Sequence, residues 1–229
     1  MKISELFYSL QGEGKLLGVP SVFIRASGCN LRCSWCDTPY ASWNPEGKNL
    51  SVPEILEQVE YFHCHHVVFT GGEPMIMPDA VELCAALKAA NHHITIETAA
   101  TVYKPIAVDL ASLSPKLSNS TPREREAGRF AESHEQLRLN YPVIQQFIDT
   151  APDFQLKFVV SSQQDLQEIH SILTHLKGWQ PADILLMPEG IDRDTLRERS
   201  TWISETCKST GFRYSPRLHV ELYGNKRGT

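Results

Sequence analysis

The chain has no run near the ~18 consecutive apolar residues of a membrane span, so nothing in it reads as a transmembrane helix. It has no basic surplus either. Its 22 Lys and Arg stand against 27 Asp and Glu, and the net charge of −5 gives no electrostatic footprint for a nucleic-acid backbone. The start, Met1-Lys2-Ile3-Ser4-Glu5, lacks the charged region and apolar core of a secretory signal. Internal repeats and low-complexity tracts are missing. Cysteine is scarce, with six residues of which half fall in one short stretch; this is unlike a disulfide framework and fits a reducing compartment. These absences lead to the expectation of a cytoplasmic protein with neither nucleic acid nor membrane as a partner.

What is present is enough for one full core. At 229 residues and 41% apolar composition, the chain reads as a single domain over residues 1–229. Short apolar runs predict strands at Val22–Arg25, Val67–Thr70, Ile94–Thr98, Ala107–Leu110, Leu156–Val160 and Ile184–Met187. Helical spacing separates them. A capping box at Ser51 and Glu54 opens a helix near 52–62, and Asp79 with Glu82 caps the next, with Val81, Cys84 and Leu87 on one face. Two further helices are expected near 163–177, ended by Gly178, and near 193–209, ended by Gly211. The polar stretch Ser118–Asn140 is expected to be a loop plus a helix. Strands alternating with amphipathic helices imply an α/β fold, a parallel sheet open or partly closed as a barrel.

The most informative stretch is C-x3-C-x2-C at Cys29, Cys33 and Cys36. Three thiolates in eight residues can wrap a compact metal centre but cannot complete a four-ligand site. A [4Fe-4S] cluster held this way keeps one iron for an outside ligand, whereas structural zinc and electron-carrier clusters close all their positions.

The other unusual residues fall at the carboxyl ends of the predicted strands, where parallel α/β proteins collect their active sites. The cysteine loop follows the first strand and Thr70-Gly71-Gly72-Glu73-Pro74 the second. Glu97-Thr98 ends the third, Ser114-Pro115-Lys116 follows the fourth, and Met187-Pro188-Glu189-Gly190 follows the sixth. A Gly-Gly pair lets backbone approach a ligand closely, though alone it reads as a tight turn.

The three-cysteine loop together with Gly-Gly-Glu-Pro resembles the radical S-adenosylmethionine (SAM) superfamily. Ser9-Leu10-Gln11-Gly12-Glu13-Gly14, Phe23-Ile24-Arg25-Ala26-Ser27-Gly28-Cys29, Trp35-Cys36-Asp37-Thr38, Ile96-Glu97-Thr98 and Ser114-Pro115-Lys116 narrow the resemblance to the 7-carboxy-7-deazaguanine synthase family. The resemblance implies a partial (β/α) barrel of the radical SAM type and a lyase. Its reaction contracts 6-carboxy-5,6,7,8-tetrahydropterin to 7-carboxy-7-deazaguanine with loss of ammonia, on the way to queuosine and other 7-deazapurines. It further implies a [4Fe-4S] cluster, SAM and Mg2+ as cofactors, a homodimer, and an electron donor such as flavodoxin or ferredoxin. No protein side chain is expected as the catalyst itself, because the radical arises from SAM at the cluster.

Carried onto this sequence, the resemblance gives Cys29, Cys33 and Cys36 to the cluster and Thr38 to Mg2+. Trp35, Asp37, Gly72, Ser114, Pro115, Lys116, Met187 and Pro188 go to SAM, and Leu10, Gln11, Gly12, Glu13, Arg25 and Thr70 to the substrate. The residue types suit these tasks. A guanidinium can grip a carboxylate bidentately, a hydroxyl is a hard oxygen of the kind Mg2+ accepts, and an amide reads donor and acceptor edges. Each also has a plainer reading: Arg25 in a strand-end ion pair, Thr38 as a cap, residues 10–13 as a turn. Glu97 can bind ribose hydroxyls or serve in an ion pair. The chain departs from the family at Met187-Pro188, where relatives carry Gln-Pro. The tail from Arg217 to Arg227 can close over the substrate or meet a second subunit.

His63-Cys64-His65-His66 invites a metal reading, but adjacent histidines in a strand point to opposite faces and no second cluster stands at ligand spacing in the sequence. Cys84 and Cys207 lie on apolar helix faces and are expected in the core, as are Met75 and Met77. The rival readings are a glycyl-radical-enzyme activating enzyme, which shares the short cysteine loop, and a non-catalytic iron–sulfur or zinc binding module.

Overall fold

A computed structural model describes all 229 residues. Its strands are β1 (Lys2–Leu10), β2 (Pro20–Ala26), β3 (Lys48–Asn49), β4 (His66–Gly71), β5 (His93–Thr98), β6 (Leu110–Leu113), β7 (Phe154–Val160), β8 (Ile184–Pro188) and β9 (Arg213–Tyr214). They form one sheet in the order β3-β1-β2-β4-β5-β6-β7-β8-β9. From β2 to β9 every neighbouring pair is parallel. The edge strands β3 and β9 do not pair with each other, so the barrel stays open.

The helices are α1 (Val52–Glu60), α2 (Ala80–Ala89), α3 (Ala131–Leu137), α4 (Tyr141–Thr150), α5 (Asp165–Thr174), α6 (Arg193–Thr210) and α7 (Leu218–Tyr223). The Ser51 side chain accepts from the Glu54 amide while Glu54 reaches back to the Ser51 amide, so α1 begins on the expected capping box. Helix α6 ends at Gly211, whose φ of +75° is the left-handed turn that glycine adopts without strain.

The pleat sorts the side chains of the sheet. Ile24, Phe69, Ile96, Leu156, Phe158 and Leu186 point outwards into one apolar cluster with Ile55, Leu83, Phe147, Ile169 and Ile203 of the helices. Their alternates, Arg25, Thr70, Glu97, Lys157 and Met187, point inwards and line a cavity at the carboxyl edge.

Four expectations change. The fourth strand runs over Leu110–Leu113, not Ala107–Leu110; at its start the Asp109 carboxylate, rather than a backbone carbonyl, accepts the Ile94 amide, while the Asp109 amide donates to the Ile94 carbonyl. β1 was missed: its mixed Lys-Ile-Ser-Glu-Leu-Phe-Tyr-Ser-Leu pattern reads weakly, yet it pairs antiparallel with β2 along its whole length and with β3. The N-terminal edge is thus antiparallel. α4 was missed too, although Asn140 caps it and Ile144, Phe147 and Ile148 bury one face. In α2, Leu83 joins Cys84 and Leu87 in the core while Val81 is exposed, and Asp79 makes no side-chain cap. Cys84, Cys207, Met75 and Met77 are buried as expected.

Candidate active site

The cysteine loop, residues 28–38, contains no helix or strand. It joins β2 to the rest of the sheet, and Cys29, Cys33 and Cys36 are all free and half-buried on one wall of the cavity. The cavity has a volume of about 530 Å³, within the ordinary range for small-molecule sites. Burial pushes the Cys29 thiol up to about 12, helped by the nearby Glu73 carboxylate, and burial does the same to Cys33 against the opposing charge of Lys116. Such thiols are protonated unless a cationic centre draws the proton off, as metal ligation does.

The donor set fits a multi-iron cluster better than a single ion. No three His, Cys, Asp or Glu side chains converge closely enough to hold one metal ion. The three thiols nevertheless share the cavity wall, and two of the sulfurs have hydrogen-bond partners: the Leu31 amide donates to Cys29 Sγ at 3.3 Å, and Ser42 Oγ lies 3.0 Å from Cys36 Sγ. Hydrogen bonds to sulfur are characteristic of protein-held iron–sulfur centres.

Gly72 owes its identity to packing. A Cβ there would stand 2.2 Å from the Gly28 carbonyl oxygen and 2.4 Å from that of Ala41. Gly72 therefore locks the turn after β4 against the cysteine loop. Glu73, fully buried, ties that turn to the end of β5: it accepts the Met75 amide at 3.0 Å, the Thr98 hydroxyl at 2.7 Å and the Ala99 amide at 2.8 Å. Burial raises its pKa against these hydrogen bonds. Its role as a strut was not legible in the sequence.

Of the residues the sequence singles out, Leu10, Gln11, Gly12, Glu13, Arg25, Trp35, Asp37, Thr38, Thr70, Gly72, Ser114, Lys116 and Met187 all line the cavity with the three cysteines. Pro115 and Pro188 do not; each stands in the backbone beside a lining residue. Arg25 is held by Glu5 at 2.7 Å, so the plainer ion-pair reading and a position in the cavity wall coexist. Thr38 makes no capping bond from its side chain, although it precedes the short helical turn Pro39–Ala41. Its hydroxyl lies 3.8 Å from Cys36 Sγ. The cap reading is thereby removed.

Beneath these residues lies an ion network that sequence reasoning missed. Lys157 Nζ reaches Glu13 at 2.5 Å and Glu97 at 2.9 Å, and its side chain is 5% exposed. Arg217 contacts Glu13 at 3.3 Å, the Asp37 carboxylate and the Gly190 carbonyl. Burial works to raise the Glu13 carboxyl, but Lys157, Arg217 and His219 outweigh it and hold it well below the usual range. Burial likewise works to lower Lys157, and Glu13 with Glu97 holds it above its ordinary value. The signal for Lys157 was present, a lone cation inside the apolar strand run Leu156–Val160. Nothing comparable marked Arg217. Glu97 is committed to Lys157 and Ser112.

The tail is seated on the cavity. Arg217, His219, Asn225, Lys226 and Arg227 line it, the Leu218 amide donates to the Gly12 carbonyl at 2.9 Å, and Arg227 pairs with Glu5 and Glu46. The histidine stretch lies at the opposite end of the sheet. There β4 and β5 bring His66 beside His93, with ring centroids 4.7 Å apart, so the second histidine pair missing from the sequence spacing is supplied by the fold. The rings do not converge as three ligands. No helix is long and apolar enough to cross a membrane.

Comparison with known proteins places these features. Residues 23–117 match the radical SAM superfamily. The 7-carboxy-7-deazaguanine synthase of Rhodopirellula baltica is 45% identical over 99% of this chain and 88% of its own length. That of Halobacterium salinarum is 43% identical over 98% and 91%. Among solved structures, QueE from Escherichia coli superposes with a TM-score of 0.71 at 25% identity, covering 95% of this chain and 94% of that one. Streptococcus suis SuiB bound to S-adenosylmethionine shares the fold alone, with a TM-score of 0.57 at 15% identity over 86% of this chain and 51% of that one.

Proposed function

The chain belongs to the 7-carboxy-7-deazaguanine synthase family of the radical SAM superfamily, and from that premise we propose how its residues divide the work of the reaction. The enzyme is a lyase. It converts 6-carboxy-5,6,7,8-tetrahydropterin to 7-carboxy-7-deazaguanine with release of ammonia, a step of queuosine biosynthesis. When bound, the [4Fe-4S] cluster, SAM and Mg2+ supply a 5′-deoxyadenosyl radical and a cationic anchor for carboxylate oxygens.

The protein's own task is placement and exclusion of water. Cys29, Cys33 and Cys36 hold the cluster on one cavity wall. Trp35, Asp37, Ser114, Lys116 and Met187 line the SAM side, while Gly72, Pro115 and Pro188 set the backbone there. Leu10, Gln11, Gly12, Glu13, Arg25 and Thr70 receive the pterin. Arg25 and Thr70 are direct neighbours across β2 and β4, so a guanidinium and a hydroxyl face the same point of the cavity. Thr38 offers its hydroxyl to Mg2+ beside them. Glu13, Lys157 and Arg217 keep the floor charged but internally neutralised, so that the site is polar without an unpaired buried charge.

One observation carries this reading: the three-thiol loop opens into the same cavity as Arg25, Thr38 and residues 10–13. The 229 residues act as one domain and pair as a homodimer in the cytoplasm, reduced by flavodoxin or ferredoxin. The test is to incubate anaerobically reconstituted protein with SAM, dithionite, Mg2+ and carboxytetrahydropterin, and to weigh the product. Formation of 7-carboxy-7-deazaguanine is expected. A formed cluster that yields no 5′-deoxyadenosine sinks the radical reading. Cleavage of SAM without consumption of the pterin points instead to an activating enzyme.

A further inference from the structure

The cysteine loop is a wall with two faces. Its thiols face the cavity, whereas Ser34, between Cys33 and Cys36, lines a separate polar concavity outside with Arg123 and Arg125 and takes no part in lining the cavity. On that outer face the Arg125 guanidinium donates to the Ser34 carbonyl at 3.1 Å and lies 3.9 Å from the centre of the Trp43 ring. The indole of Trp43, almost fully buried, donates in turn to the Cys33 carbonyl at 3.0 Å. The chain reaches this position through Glu126, Ala127 and Gly128, all at positive φ (49°, 52° and 73°). Two consecutive non-glycine residues in that region are costly, and such outliers persist where surrounding contacts fix them.

The peptide between Ser34 and Trp35 is planar and trans, since the chain has no cis bond, so its N–H points opposite to its C=O. Arg125 draws the carbonyl outwards. The Trp35 amide is thereby turned towards the thiol side of the wall, and it has no hydrogen-bond partner in the protein. Amides aimed at cluster sulfurs stabilise the more negative, reduced state and raise the reduction potential. We propose that Arg125 is a positioning residue for the cluster, which holds the Trp35 amide as a donor to cluster sulfur and so makes the cluster easier to reduce. This rests on the cysteine loop carrying a [4Fe-4S] cluster.

The test compares Arg125→Gln with Arg125→Met, similar in length but differing in the ability to donate to the Ser34 carbonyl. Arg129→Ala removes a cation from the same segment that makes no contact with the cysteine loop. Anaerobically reconstituted proteins are titrated potentiometrically and followed by electron paramagnetic resonance of the reduced cluster, with iron per chain and apo-protein melting recorded alongside. Arg125→Met is expected to lose about tenfold in the reduced-to-oxidised ratio at fixed potential, a shift of 59 mV to more negative values for one electron. Arg125→Gln is expected to shift by less than half of that, and Arg129→Ala not at all. Equal potentials in Arg125→Gln and Arg125→Met overturn the proposal, as does an Arg129→Ala shift matching that of Arg125→Met, which leaves only charge. If Arg125→Met does not fold, the Gln variant carries the test, because a full tenfold loss there refutes the donor role. Failure of the underlying reading is separate: the parent protein then shows no cluster signal at all.

Discussion

Replacing Lys157 by methionine isolates the ion network beneath the cavity. The thioether has nearly the length of the lysine stem, so packing is retained and the charge is lost. Glu13 keeps Arg217 at 3.3 Å, but Glu97 is left with only the Ser112 hydroxyl at 2.9 Å. One buried carboxylate thus loses its cation, and removing one partner of a buried pair costs about 3–5 kcal/mol. With Glu13 still partnered, the lower figure applies, about 3 kcal/mol. For a chain of this size each kcal/mol moves the melting temperature by roughly 2–4 °C, so a fall of roughly 6–12 °C is expected at pH 7.5. Glu13 is depressed, so its contribution is present above the ordinary carboxyl value of 4.5 and lost only as pH falls below it. Lys157 is raised, so its contribution is present below the ordinary lysine value of 10.5 and lost only as pH rises beyond it. Between pH 5 and 8 the parent pair is therefore flat. Calorimetric melting of the apo-protein at pH 7.5, with the double variant Lys157→Met/Glu97→Gln, checks this. The double variant should recover most of the loss. A single variant that melts within about 2 °C of the parent refutes the reasoning.

Gly72→Ala places a methyl against two backbone carbonyls that cannot swing away, so a loss of about 3 kcal/mol or more is expected together with poor iron incorporation; melting and iron per chain measure both. Glu73→Ala strands two amides and the Thr98 hydroxyl, each costing about 1–3 kcal/mol, and should lower apo-protein melting as much as Gly72→Ala does. Thr38→Ala should leave folding and cluster content unchanged and raise the Mg2+ concentration needed for half-maximal turnover; an unchanged Mg2+ dependence removes Thr38 as the ligand.

The parallel half of the fold was legible because its strands are short apolar runs bounded by glycine and proline, and because its active-site motifs fall at one edge. The capping box of α1 and the glycine stop of α6 followed from local chemistry alone. β1 was hidden because both its faces are half-covered, which erases the clean alternation of a one-sided strand. β6 starts after Asp109, whose carboxylate accepts the Ile94 amide of the neighbouring strand. In the site, residues in compact motifs were found and residues that act singly were not. Lys157 and Arg217 each stand alone in sequence, and only the fold brings them to Glu13. Gly72 was found for another reason than the one the structure gives: its missing side chain admits backbone carbonyls of the chain itself.

The same network fixes when the site can exist. Glu13 meets Lys157 across 144 positions and Arg217 across 204, and Asp37 meets Arg217 across 180. At a synthesis rate of about 5–20 residues per second, those last 180 positions take roughly 10–40 s to emerge. Throughout that interval the three thiols are already made and the wall around them is incomplete. Contacts so distant along the chain also form late in folding, because loop closure must precede them. Maturation of this protein is therefore ordered by its topology: the iron-binding loop is made long before Arg217, which closes the pocket that shelters it.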